Sequence, residues 1–320
     1  HSLRRRQRQM CIRDRPSYIA GSEDESIAEP LWSPDGDLYF VSDRSNWWNI
    51  YRISKDVIET GQISPEAVEP VVQTDAEFTS PAWVFGNSHY GFISDEKIIC
   101  AYTRKGIWQL GEIDVRKNQL QEIETPYTTI SYLRISGDEK IYFIAGKPDE
   151  PTAVVEMDYR TKQVRRLRQA SELQIDKGYI STPELIEFPT EGGLNAYGFF
   201  YAPCNKDFCA PEGEKPPLIV MVHGGPTGAT STSMALKIQY YTSRGLAVMD
   251  VNYGGSTGFG REYRNRLLGK WGIVDVDDCC NAAKYLAKRG LVDGKRLAIT
   301  GGSAGGYTTL AAPVSYTHLR

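Results

Sequence analysis

The segment RLAITGGSAGGYTTLAA, residues 296–312, constrains the fold more than any other part of the chain. A strand-like run ends in Gly301-Gly302-Ser303-Ala304-Gly305, a G-x-S-x-G pattern, and a helix-compatible run follows at once. A strand that turns sharply into a helix around a serine is the layout of a nucleophile elbow. The turn strains the serine backbone and lifts its hydroxyl clear of the sheet. Glycines must flank it, because a side chain at Gly301 or Gly305 would collide with the strand or the helix. The helix N-terminus adds a positive dipole end where an oxyanion would develop. A plainer reading stays open at this point: a glycine-rich turn whose serine only caps a helix. The motif therefore needs its context.

That context alternates strands and helices. PELIEFPTEGGLNAYGFFYAP (183–203) reads as a hairpin with TEGG as its turn. PLIVMVHGG (217–225) and LAVMDVNYGG (246–255) are continuous apolar strands ending in glycine. STSMALKIQYYTSRG (231–245) reads as a helix capped by Ser or Thr and stopped at Gly245. DVDDCCNAAKYLAKRG (275–290) puts Val276, Cys279, Cys280, Ala283 and Leu286 on one helical face. Asp275, Asp277 and Asp278 are expected to form a solvated helix start, favoured by the dipole. Apolar strands alternating with helices indicate a parallel sheet covered on both faces, and such sheets place ligands at the carboxyl ends of their strands.

One such end carries His223-Gly224-Gly225-Pro226. A glycine pair there can turn peptide N–H groups toward an oxyanion. His223 could be read as a general base, but in α/β-hydrolases the base follows the nucleophile in the chain. A loop-shaping role for His223 and Gly224 is the expectation.

The first half has a different grammar. Between residues 30 and about 170, short strands recur with turn signals, and aligning Val41, Ile93 and Ile144 gives spacings of 52 and 51. Each unit begins with an apolar residue before a turn, Trp32, Trp83 or Leu133. A period near fifty with four strands is the signature of a propeller blade. Three blades are expected, as the last of a longer set. The tryptophans are expected to pack between blades, and no site is assigned to them.

With 41% hydrophobic and 24% charged residues and a net charge of −3, the chain reads as globular, with no reason to expect nucleic acid or a membrane span. The first fifteen residues hold six Arg against one Asp. They resemble translated sequencing-adapter sequence, as does the C-terminal PVSYTHLR, so residues 1–17 and 313–320 are set apart as non-native. Among the six cysteines, Cys204 and Cys209 could pair or form half a zinc site, but no second pair completes a metal quartet. Reduced structural thiols and a cytoplasmic location are the expectation, with no metal and no cofactor.

HGGPTG, VNYGGSTGFGREYR and WGIVDVDDCCNAAKYLAKRGLVDGKRLAITGGSAGGYTTLAA, after a propeller-like half, resemble the prolyl oligopeptidase family of serine peptidases. Its acylaminoacyl-peptidase and dipeptidyl-aminopeptidase-like members are the nearest in motif. The resemblance covers about residues 18–312. It implies a partial β-propeller (18–175) followed by a partial α/β-hydrolase domain (176–312), truncated after the elbow. It further implies Ser303 as nucleophile and the backbone N–H groups of Gly225 and Ala304 as oxyanion hole. Some relatives carry Tyr where this chain has His223. The family's triad Asp and His follow the elbow, so this chain is expected to be an internal fragment of low activity. The substrate implied is a short peptide; an esterase on the same fold and a non-catalytic propeller binding protein are the alternatives. Oligomeric state is left open.

Overall fold

The computed structural model of the protein describes residues 18–315. The basic N-terminal arm with Cys11 and His1, and the last five residues with His318, lie outside the described residues.

Three four-stranded antiparallel sheets come first, each a meander of sequential neighbours. The first contains β1 (Ile27–Trp32), β2 (Leu38–Ser42), β3 (Asn49–Ile53) and β4 (Glu69–Pro70), with a short helix α1 (Lys55–Thr60) inserted before β4. The second contains β5 (Tyr90–Ser94), β6 (Lys97–Arg104), β7 (Ile107–Asp114) and β8 (Gln119–Ile123). The third contains β9 (Thr129–Ile135), β10 (Lys140–Lys147), β11 (Glu150–Asp158) and β12 (Val164–Gln169). Side chains alternate across a strand, and β6 uses both faces. Ile98, Cys100 and Tyr102 pack toward the first sheet, while Ile99 and Ala101 pack toward the third. The middle sheet is thus sandwiched face to face, as a blade is.

The expected fifty-residue alignment needs correction. Val41 lies on β2 and Ile144 on β10, both second strands, but Ile93 lies on the first strand β5. Helix α1 and the long segment 71–89 lengthen the first unit and displace the count. Trp48 and Trp108 do pack between sheets. Trp32 and Trp83 do not, and each is 57% exposed.

The second half is one five-stranded sheet in the order β13 (Glu184–Pro189), β14 (Asn195–Tyr201), β16 (Ala247–Asn252), β15 (Leu218–Val222), β17 (Leu297–Gly301). Only β16, β15 and β17 are parallel; the β13–β14 hairpin joins antiparallel to β16. The sheet is therefore mixed rather than purely parallel. Helix α2 (Leu236–Thr242) covers one face through Ile238. A short helix α3 (Arg261–Asn265) follows β16, and α4 (Val274–Lys288) and α5 (Ala304–Ser315) cover the other face. All five residues expected on the apolar face of α4 are buried. Burying Val276 and Leu286 contributes about 1.5–3 kcal/mol each. Helix α5 runs through Ser315, three residues into the stretch set apart as a tail. No helix of the described residues is long and apolar enough to cross a membrane.

Helix α2 begins five residues later than its Ser/Thr run suggests, with no side-chain cap. The hydroxyls are used elsewhere. Thr232 Oγ1 lies 2.7 Å from Thr128 Oγ1, and the Met234 amide donates to Lys147 O at 2.9 Å. Lys147 ends β10 of the third antiparallel sheet and Thr128 immediately precedes β9, so this segment seals the two halves together instead of opening a helix. A second seal is electrostatic. Glu77, fully buried, accepts hydrogen bonds from the amides of Gly258 and Gly260. Arg264 pairs with Asp43, approaches Glu77 at 3.8 Å and stacks over Trp48 at 4.1 Å.

Candidate active site

The site is built from two strand ends. Strand β15 lies between β16 and β17, so the strand order reverses there, and that reversal is where open α/β sheets bind ligands. The register of β15 against β17 pairs Val222 with Gly301. The loops leaving the two strands therefore start at the same height.

The β17 loop is the elbow. Ser303 sits at φ +54°, a left-handed conformation that costs a non-glycine residue about 1–2 kcal/mol. Its own carbonyl accepts the Gly306 and Tyr307 amides at 2.9 and 3.2 Å, which locks it to the first turn of α5. Its side chain is exposed. The flanking glycines are sterically required. A Cβ on Gly301 would lie 2.8 Å from Val222 O, and one on Gly305 would lie 2.7 Å from His223 O. Gly302 has nothing within 4 Å.

The β15 loop carries His223, Gly224 and Gly225. A Cβ on Gly224 would lie 3.3 Å from the Ser303 Cβ, so the glycine pair and the serine are direct neighbours. Gly225 adopts φ +65°, and its carbonyl accepts the Gly228 amide at 2.6 Å in a tight turn. The amides of Gly225 and Ala304 donate to no acceptor among the described residues. The His223 ring is already engaged. It stacks on Tyr253 with centroids 4.4 Å apart, and Nε2 lies 2.8 Å from Ser256 Oγ. Burial pushes its pKa down to about 4, so the imidazole is neutral near pH 7. His89, on the β-sheet half, is bound by Glu29 and Ser80. Neither described histidine is engaged with Ser303.

Ser303 and Ala304 share a cleft of about 280 Å³ with Trp271 and Tyr307, whose rings meet edge to face at 5.4 Å. The support under these rings was not foreseen. Asp275 and Asp278 are buried, not solvated. Asp275 accepts from the Gly272 amide at 2.7 Å and from Thr308 Oγ1 at 2.5 Å. It thereby ties the Trp271 loop to the elbow helix. Asp278 accepts from the Gly254 amide at 2.7 Å and from Thr190 Oγ1 at 2.5 Å. The signal was present: Asp275, Asp278 and Cys279 are spaced i, i+3, i+4 and so share one face.

Trp83 was also missed. It reaches from the first half to the glycine loop, where its indole N–H donates to Thr227 Oγ1 at 2.9 Å. A Cβ on Gly225 would lie 2.8 Å from its Cη2. Cys204 and Cys209 carry free thiols, and no metal-holding cluster of three or more His, Cys, Asp or Glu occurs among the described residues.

Residues 232–319 match the prolyl oligopeptidase family. A solved puromycin-hydrolyzing peptidase of Mycobacterium tuberculosis superposes on 94% of this chain with a TM-score of 0.88 at 38% identity, using 45% of its own chain. An uncharacterized peptidase of Bacillus subtilis is 34% identical over 184 residues, 56% of this chain and 27% of its own. An acylamino-acid-releasing enzyme of Arabidopsis thaliana is 30% identical over 165 residues, 52% of this chain and 21% of its own. The chain thus spans about a quarter of these two curated relatives and less than half of the solved one.

Proposed function

Given its resemblance to the prolyl oligopeptidase family, found in both sequence and fold, we propose that this protein is a serine peptidase acting on short peptides through an acyl-enzyme on Ser303. The observation that carries the reading is the contact of Gly224 with Ser303. It brings two amides without other acceptors, those of Gly225 and Ala304, beside an exposed and strained hydroxyl. In this reading Ser303 Oγ attacks the scissile carbonyl while a base takes its proton. The oxyanion is held by the two amides, each donor being worth about 10²–10³ in rate. The amine leaves with a proton, and water then hydrolyses the ester. Residues 18–175 act as propeller cap and 176–312 as catalytic half. No cofactor is needed. Neither described histidine is placed to serve Ser303. In this reading the base, and with it the triad Asp that the family resemblance implies, lie outside the described residues, and the 320-residue chain alone is expected to turn over little. The relatives named for puromycin, acylated peptides and dipeptides define the substrates to try first. A cytoplasmic setting is part of the same proposal.

Among the described residues neither His89 nor His223 meets Ser303, and a second reading, a binding protein with an idle elbow, is kept beside the first. An esterase would use the same geometry and is separated by substrate. The test is fluorophosphonate labelling of the protein expressed from its full gene, wild type beside Ser303→Ala. Labelling that disappears in the variant supports an activated serine; an unlabelled, folded wild type overturns the enzyme reading. Comparing peptide amides with simple esters then separates peptidase from esterase.

A further inference from the structure

Trp83 has an unusual position for a tryptophan of the β-sheet half. The ring that does pack fully between sheets, Trp48, is 3% exposed, whereas Trp83 keeps 57% of its surface open. It is nevertheless held firmly. Its N–H is fixed on Thr227, and its ring edge rests on Gly225, a residue where only glycine leaves room. The loop that carries it is braced from below. Buried His89 donates its amide to Glu29 Oε2 at 2.7 Å, and its Nδ1 lies 2.6 Å from Glu29 Oε1. Thr79 Oγ1 donates to Glu29 at 2.6 Å, and Ser80 Oγ lies 3.1 Å from His89 Nε2. Asn87 and the Val84 amide both close onto Pro81 O. An aromatic ring clamped at its edge and left open on its surface suits a contact platform better than interface glue. It loses little conformational entropy on binding, because it has only two rotatable bonds and both are already set.

We propose that Trp83 is a specificity wall of the substrate site, supplied by the first half of the chain, which favours an aromatic side chain on the acyl residue of the substrate. The proposal rests on the serine-hydrolase reading of Ser303. The acyl residue is singled out because Gly225, against which the ring lies, is the proposed donor to that residue's carbonyl. Aromatic groups are favoured because ring pairs gain offset-stacked or edge-to-face contact beyond simple burial. Trp271 and Tyr307 already line the cleft at Ser303, and Trp83 rests on Gly225 of the glycine loop whose neighbour Gly224 meets Ser303.

The experiment uses the protein from its full gene with peptidyl 4-nitroanilides that differ only in the acyl residue, Phe against Ala. Trp83→Ala is expected to raise KM for the Phe substrate about tenfold, as expected for a lost aromatic contact, with the Ala substrate changed less than about twofold. Trp83→Phe, which keeps a ring but loses the N–H, should retain most of the preference. Fluorophosphonate labelling is run on every variant. Equal losses for both substrates with labelling intact would overturn this proposal alone. An unlabelled wild type would overturn the serine-hydrolase reading and this proposal with it.

Discussion

Val222 and Gly301 face each other across the parallel pair β15–β17, and this one register brings Gly224 against Ser303. The loops are short and their starting points are fixed by backbone hydrogen bonds. Sliding β17 by one residue would shift the elbow by about 3.3 Å and turn its side chains to the other face. The candidate site is therefore a property of the sheet more than of either loop.

Two of the elbow glycines, Gly305 and Gly302, should respond unequally to alanine. Gly305→Ala places a methyl group 2.7 Å from His223 O, between backbone segments that cannot give way. Gly302→Ala meets open space. Soluble yield and thermal melting should drop sharply for the first, by several °C or to no folded protein, and stay near wild type for the second. Equal behaviour would contradict the close approach of α5 to β15.

Ser303 stores backbone strain, and replacing it should release some of it. Ser303→Gly removes the Cβ that makes φ +54° unfavourable, whereas Ser303→Ala keeps it. The glycine variant should be more stable than the alanine variant by up to about 1 kcal/mol in urea unfolding, the left-handed penalty less glycine's added chain entropy. Both should lose fluorophosphonate labelling.

Asp275 and Asp277 differ by two positions and should differ widely in effect. Asp275→Ala leaves the Gly272 amide and the Thr308 hydroxyl without their buried acceptor. This should cost about 2–4 kcal/mol by denaturant midpoint. Asp277 is only half-buried, and its alanine variant should cost distinctly less. A reversed order would mean that the tie between the Trp271 loop and α5 is unimportant.

Glu77 should make stability depend on pH. Burial pushes its pKa up to about 7, despite Arg264 and two amide donors. Between the unfolded value near 4.5 and 7, the native state holds a proton that the unfolded chain has lost, so stability falls as pH rises through that window. Glu77→Gln keeps an acceptor and removes the titration. His223, pushed down to about 4, acts in the opposite sense below pH 6.5 but is common to both proteins. Melting temperatures at pH 5 and pH 8 should therefore drop more in the wild type than in Glu77→Gln; parallel curves would remove Glu77 as the cause.

The elbow was legible because its glycines and its strand-to-helix switch are local facts of spacing. The buried stripe of α4 was legible for the same reason, through Val276, Cys279 and Leu286. Two features that escaped, Trp83 and the start of α2, depend on partners remote in sequence. Trp83 meets Thr227 across 144 positions, and nothing near either residue announces the pairing. Helix α2 starts later than its Ser/Thr run suggests because Thr232 bonds Thr128, just before β9, and Met234 bonds Lys147 of β10, which overrides the local capping signal. Asp275 and Asp278 were read by charge when their helical spacing already turned them inward. The blade alignment slipped at Ile93 because α1 and segment 71–89 break an otherwise even period.

Trp83 belongs to one half of the molecule and Gly225 to the other, and this has a thermodynamic consequence. Any opening between the halves withdraws the indole from the glycine loop. A ligand that touches both surfaces binds the closed arrangement more tightly than the open one, and by linkage it must drive closure by the same factor. Recognition of the substrate and exclusion of water from Ser303 would then be a single equilibrium, read at one ring.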